Sequence, residues 1–233
     1  MGAVSTGQAR SLWVYDEIKK MIIDGDLRPG DELRERDLAE KLGVSRVPVR
    51  EALPMLERAG LAQLSPRRTA RVTEITESDV TDHFELRIAL EPLAARLAAD
   101  RVAHGADPAA LVATLADADG AMACHDDRGF HGSNSLLHFE IERLAANPLL
   151  DEVMALLRER KARLNAIDPG GHAQERHNEH TVLVNAIAQG NARLAEAAAL
   201  THVELGHSRT SRALQERDAQ LRSTTAGPHV DVG

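Results

Sequence analysis

The sequence of 233 residues contains a single cysteine, Cys124. One thiol cannot build a disulfide framework, a multi-cysteine zinc ribbon or an iron–sulfur centre. Aromatic residues make up 2% of the chain: three Phe, one Tyr and one Trp. That is too few rings for a sheet that stacks bases, and few for a sandwich or barrel. Long apolar runs are also missing; none reaches the ~18 residues that a membrane-crossing helix needs. The stretch Met1 to Arg10 lacks the apolar segment of a secretion signal. These absences predict a cytoplasmic protein with no membrane partner.

What stands in place of aromatics is alanine and leucine, within a hydrophobic content of 43%. That composition favours helices, and the length admits two ordinary domains. The net charge of −8 argues at first against nucleic acid, but it is unevenly spread. Residues 1–75 hold 13 Lys/Arg and 12 Asp/Glu, whereas the remaining 158 residues hold 15 and 24. Within 44–72 there are six Arg and two Glu. A small basic patch on an acidic body fits a DNA-binding module joined to a different domain, although a solvated charged surface has the same count.

Trp13, Val14, Ile18, Met21 and Ile22 have helical spacing, predicting a helix over 13–24. A second helix is expected over 35–42, with Leu38, Ala39 and Leu42 on one face and Gly43 as its stop. Ser45 is placed to cap a third, 46–59. Two short helices about a tight Gly43-Val44 turn read as a helix-turn-helix. On the third, Val49, Ala52, Leu53 and Leu56 form the inner stripe, and Arg46 and Arg50 share a face beside it. A recognition helix presents its N-terminal residues to base edges, and Arg pairs bidentately with guanine or clamps phosphate. Strand-like runs at 61–64 and 71–75 flank Ser65, Pro66, Arg67, Arg68, Thr69 and Ala70, a hairpin tipped with arginine and placed like a wing.

The segment LRERDLAEKLGVSRVPVREAL at 33–53, followed by LERAGL at 56–61, resembles the winged-helix signature of the GntR family of bacterial transcription regulators. The resemblance covers about residues 10–75. It implies DNA contact by Arg36, Arg46 and Arg50, and a wing carrying Arg67 and Arg68 into the minor groove. Two residues depart from the pattern. Thr69 stands near the wing tip where the family has Gly. Pro54 removes the N–H that would bond the Arg50 carbonyl; it is expected on the exposed face, with a kink.

From Glu77 onward the pattern is helical, with spans expected at 78–103, 107–125, 129–146, 148–167, 174–189 and 191–220. Pro92 is expected to kink the first. No strand pattern interrupts them, so a bundle of about six helices follows. The fold class is therefore mainly α: a winged helix-turn-helix over 1–76, an all-α domain over 77–222 and a disordered tail over 223–233.

The chain has 11 histidines. Asn134 and His138 are four apart on one expected helix, His180 lies on a second and His202 on a third. Three imidazoles and one oxygen could converge on a first-row metal. From spacing alone, scattered surface histidines fit as well, and His131 and His177 are equally placed. The resemblance extends here too. ELRIALEPLAARLAA at 85–99 is similar to the first helix of the FCD effector domain of FadR-like GntR regulators. Asn134 to His138, Ala146 to Leu149, Glu179-His180 with Ala186 to Gly190, and His202 resemble its metal-ligand segments over roughly 78–205. This implies a divalent metal, zinc or nickel, held by Asn134, His138, His180 and His202, with Asn134 where Asp is commoner. It also implies that Arg87 faces an effector cavity; the alternative is a surface ion pair with Glu91, at i+4.

A buried metal with neutral ligands, plus Arg87, would be an uncompensated positive site and would favour a small carboxylate. The expected function is a ligand-responsive regulator, not an enzyme, acting as a homodimer on a pseudo-palindromic operator in double-stranded DNA. The alternative is a metal-dependent enzyme with an accessory DNA-binding domain, for which Glu140 and Glu142 are the only general-base candidates. A third reading is an architectural DNA protein whose bundle only dimerises.

Overall fold

The computed structural model describes residues 6–65, 68–164 and 172–225. They form two compact units: residues 6–65, 68–76 and 158–164 in one, and residues 77–157 and 172–225 in the other.

In the first unit the order is α1 (Thr6–Ile23), β1 (Glu32–Leu33), α2 (Glu35–Leu42), α3 (Arg46–Arg58), β2 (Ala62–Gln63) and β3 (Ala70–Val72). Helix α1 begins seven residues before the expected start. Its first turns are polar, so hydrophobic periodicity is blind to them; Ser11 is nevertheless buried and donates its hydroxyl to Glu51 of α3. Gly43 ends α2 at φ 64°, ψ 35°, a left-handed turn that a side chain would strain, and its N–H returns to the helix. Val14, Ile18, Leu38, Val49, Leu56 and Leu61 are at most 4% exposed and form the core of this unit.

The three short strands make an antiparallel sheet in the order β1-β3-β2, with Leu33 opposite Ala70 and Ala62 opposite Val72. Strand β1 was not expected: two residues are too short to show a period. The wing hairpin forms as expected, β2 and β3 being shorter than the predicted runs. Pro54 is exposed, as expected, and α3 continues through it.

The rest of the chain forms α4 (Glu77–Ala103), α5 (Ala109–Ala123), α6 (Asp127–Ala145), α7 (Pro148–Leu164), α8 (Ala173–Ala188) and α9 (Ala192–Thr225), all in the second unit except residues 158–164 of α7. Among the described residues the breaks fall within a few residues of where the sequence places them; the expected break at 168–171 lies outside the described residues. Asp126 caps α6 by accepting from the Gly129 N–H at 2.9 Å, and Pro148 opens α7. Helix α4 runs unbroken through Pro92. Helix α9 extends past the expected end at 220 to Thr225; the rest of the expected tail lies outside the described residues.

Helix α4 packs against α6, α8 and α9. Its contact face is Ala94, Ala95, Ala98 and Ala99, each at most 1% exposed. Small residues let backbones approach closely, so the larger side chains Leu137, Ile141, Leu183 and Ile187 fill the core from α6 and α8. One turn before this alanine face, polar side chains enter the same bundle.

Candidate nucleic-acid interface and metal centre

In the first unit, Arg46 and Arg50 lie on the exposed face of α3, both with side chains 62% exposed. Both guanidiniums turn to one carboxylate, Glu35 at the start of α2. Arg50 donates from Nε at 3.0 Å and Nη2 at 2.7 Å, and Arg46 from Nη2 at 3.3 Å. The Arg50 hydrogen bond holds the Glu35 carboxyl below its ordinary range, although burial opposes this. Sequence reasoning missed Glu35, which stands between Arg34 and Arg36 as one of several acids in 31–40.

Val47 was missed as well. It is 59% exposed beside Arg46, off the inner stripe, as a residue that meets a thymine methyl would be. Arg36 is exposed and near Asp37, at 3.3 Å. Arg68 is exposed, its N–H closing a turn to the Ser65 carbonyl at 3.1 Å; Arg67 lies outside the described residues.

Ser45 differs from expectation. It occupies the N-cap position of α3 with an extended backbone, but its side chain makes no capping bond. An N-cap hydroxyl bonds the N–H of the second or third helical residue, and the third is Pro48, which has none. Ser45 is exposed, so its hydroxyl faces outward beside Arg46.

In the second unit, His138 (α6), His180 (α8) and His202 (α9) converge. They are 9%, 2% and 5% exposed, and one ring nitrogen of each lies within 4.8 Å of the others. His180 and His202 are closest, with ring centroids 4.5 Å apart. Each ring also meets an oxygen. His180 Nδ1 lies 3.0 Å from Asn134 Oδ1, His202 Nδ1 2.8 Å from Glu179 Oε2, and His138 Nδ1 3.6 Å from Glu91 Oε2. A proton on Nδ1 of His202 serves Glu179 and leaves its Nε2 for coordination, whereas Asn134 Oδ1, beside His180, is itself a candidate ligand. Outer oxygens orient metal-binding histidines in the same way. The donor set thus fits a borderline divalent ion.

Arg209 of α9 grips Glu179 with both Nη groups, at 2.7 and 2.9 Å. Burial alone would raise the Glu179 carboxyl, but the bonds from His202 and Arg209 outweigh it and hold it down at about 2. Spacing left His177 level with His180, but the structure separates them. His177 stands outside the cluster, its Nε2 2.6 Å from Asp119 Oδ1, on a separate open pocket of about 410 Å³. The His131 side chain lies outside the described ones.

Arg87 joins the two alternatives that the sequence left open. It is buried at 5% exposure, yet it is also paired with Glu91, Nε to Oε1 at 2.5 Å. The expected uncompensated positive charge is therefore absent. Glu91 balances Arg87, and Glu142, 4% exposed, lines the same small cavity beside His138. Periodicity could not foresee this, because Glu91 and Glu142 look like polar faces until three other helices cover them.

Comparison with known proteins follows this division. The family model described as bacterial regulatory proteins, gntR family, matches residues 11–72, and the FCD domain model matches residues 82–205. The chain is 32% identical over 200 residues, 82% of its length and 84% of the relative's, to a protein of Paenarthrobacter nicotinovorans named "Probable D-xylose utilization operon transcriptional repressor". It is 42% identical over 89 residues to the HTH-type transcriptional regulator YdhC of Bacillus subtilis, a match that spans 38% of this chain and 40% of that protein.

A GntR transcriptional regulator from Rhodococcus sp. RHA1 superposes with a TM-score of 0.69 at 25% identity, covering 87% of this chain and 97% of that one. At 19% identity and a TM-score of 0.54, the metal-free FCD domain of TM0439 shares the fold of 61% of this chain and covers 99% of its own. These relatives are transcriptional regulators, which answers the enzyme alternative. No helix among the described residues is long and apolar enough to cross a membrane. The chain belongs to the GntR family of bacterial transcriptional regulators, with a gntR-type helix-turn-helix domain followed by an FCD domain.

Proposed function

We propose that this protein is a cytoplasmic, homodimeric regulator whose affinity for a pseudo-palindromic operator is set by a divalent metal and a small carboxylate. Arg46 and Arg50 read base edges in the major groove, with Arg36 and Ser45 beside them on phosphate, and Arg67 and Arg68 follow the backbone at the wing. In the FCD domain His138, His180 and His202 hold zinc or nickel. Asn134, whose Oδ1 lies beside His180, supplies the remaining oxygen. When bound, the metal supplies a fixed positive centre for an anionic oxygen. Arg87 receives the other end of the carboxylate through its planar fork. The effector alters operator affinity by as much as its own affinity differs between the two arrangements of the dimer.

The observation that carries this reading is the convergence of three buried imidazoles from three helices, with Glu91 standing between one of them and a buried arginine. Two measurements test it. Elemental analysis of chelator-free protein should find up to about one metal per chain in the parent and none in His138→Ala, His180→Ala or His202→Ala, as a mainly imidazole site requires. Calorimetric titration of metal-loaded protein should rank small carboxylates above neutral analogues. The reading fails if the best ligand is uncharged, or if stripping the metal leaves carboxylate affinity unchanged.

A further inference from the structure

The place for a carboxylate between Arg87 and the histidines already contains one. Glu91 lies one turn beyond Arg87 on α4, and its two oxygens point to different partners: Oε1 is 2.5 Å from Arg87 Nε, and Oε2 is 3.6 Å from His138 Nδ1. All three residues are at most 9% exposed. The cavity beside them, lined by Glu91, His138, Ile141, Glu142 and Leu183 among others, measures about 10 Å³. That is the volume of one water at most, and a carboxylate group does not fit.

On its other side Arg87 is fixed. Its guanidinium lies 4.8 Å over the Phe84 ring, and Phe84 is stacked on His207 with centroids 4.9 Å apart. A side chain at Gly206 would meet the same ring at 3.4 Å. The arginine is therefore held in place, and its exchangeable partner is the Glu91 carboxylate.

We infer that Glu91 is the protein's own occupant of the effector's carboxylate subsite, and that an external carboxylate binds by displacing the Glu91 carboxylate from Arg87. The inference rests on the carboxylate reading above and adds the competitor that regulates it. The exchange replaces one ion pair by another, so Arg87 is never left buried and unpaired, which would be costly. It also lets a ligand enter beside a cavity of only about 10 Å³: the space comes from the departing Glu91 side chain. Apparent affinity is reduced by the fraction of molecules in which Glu91 has left. Because α4 carries both residues and packs against α6, α8 and α9, the displacement is felt along the helix that joins the three histidine-bearing helices.

Excision and refilling of the carboxylate tests this. Metal-loaded parent, Glu91→Ala and Glu91→Gln are titrated with acetate and succinate, with acetamide as the neutral control, by calorimetry and by thermal melting. Glu91→Ala should bind acetate about ten-fold or more tightly than the parent, as removal of a dominant competing state requires. It should melt lower than the parent without acetate and recover with it, whereas acetamide restores nothing. Glu91→Gln keeps the shape and loses the charge; it should fall between the two, and it carries the test if Glu91→Ala fails to fold.

Equal acetate affinity in the parent and in the Glu91 variants overturns the inference. If carboxylates then still bind and Arg87→Ala weakens them, the effector reading survives alone. If neither acetate nor succinate binds any of the proteins, and Arg87→Ala changes nothing, both readings fall.

Discussion

Each unit of this protein uses a carboxylate to hold arginines, but in opposite surroundings. Glu35 gathers Arg46 and Arg50 on the surface of the helix-turn-helix, where both guanidiniums are 62% exposed. Glu179 holds Arg209 and His202 inside the bundle, with side chains 13%, 10% and 5% exposed. In water the first arrangement is cheap to break, and its arginines stay available for an outside anion. In the interior the second is expensive to break, because either partner alone is a buried, unpaired charge. The same chemistry is a loose clasp in one place and a rigid brace in the other. The difference suits a surface that must open to DNA and a centre that must keep its imidazoles aimed.

The largest effect should therefore come from the interior. Arg209→Met preserves much of the apolar stem and removes the charge, leaving Glu179 buried against His202 alone. Loss of one partner from a buried pair costs about 3–5 kcal/mol, so the denaturant midpoint should fall sharply. Metal affinity should fall too, about 10–100-fold, as when an outer partner of a metal ligand is lost. A midpoint within about 1 kcal/mol of the parent would mean that this pair behaves like a surface bridge, and the contrast between the units would collapse.

Arg50→Ala should give the converse result. Little stability is at stake for an exposed side chain, so melting should be nearly unchanged. Operator affinity should drop by about 1–3 kcal/mol for the lost bidentate base contact, roughly 5–150-fold, while non-specific binding changes less. Gel-shift titration on operator and scrambled DNA separates these effects. Normal operator binding by Arg50→Ala would remove α3 as the recognition helix.

The contrast also explains what the sequence could show. The surface site follows from local spacing: Arg46 and Arg50 are one helical turn apart, the inner stripe fixes which face is outward, and Gly43 marks the turn. Nothing distant is needed. What escaped, Glu35 and the two-residue β1, depends on α2 and the wing lying alongside. The interior site is non-local. His138, His180 and His202 stand 42 and 22 residues apart, and nothing in their spacing distinguishes them from His177. The resemblance to FCD segments identified the trio, and packing brought it together. The partners Glu91, Glu142 and Arg209 read as polar helix faces, because burial of an acid or an arginine is a property of the assembled bundle. Ser45 holds the expected N-cap position but makes no capping bond, and one of the two donors the rule offers is missing at Pro48.

The smallest and most discriminating change is Glu35→Gln. As a surface clasp it contributes about 0–1 kcal/mol to stability, so the neutral amide should barely shift melting near pH 7. Its acid dependence should change more clearly. The Glu35 carboxyl lies below its ordinary value because Arg50 donates to it, with burial opposing and Arg46 assisting. A carboxyl depressed in the folded protein adds stability above its unfolded value, about 4.3, and that contribution fades as pH falls toward the folded value. Glu35→Gln should therefore lose part of the parent's destabilisation below about pH 4.5.

On DNA two effects compete. Removing a negative charge beside two arginines strengthens phosphate attraction, so non-specific binding should tighten, by less than about ten-fold, and its salt dependence should steepen by up to about one unit of slope. The guanidiniums also lose the partner that fixes their direction, so the ratio of operator to scrambled-site affinity should fall. Competition titrations at two salt concentrations measure both. If Glu35→Gln instead raises the specificity ratio, Glu35 is a plain electrostatic brake, and the clasp does not aim the arginines.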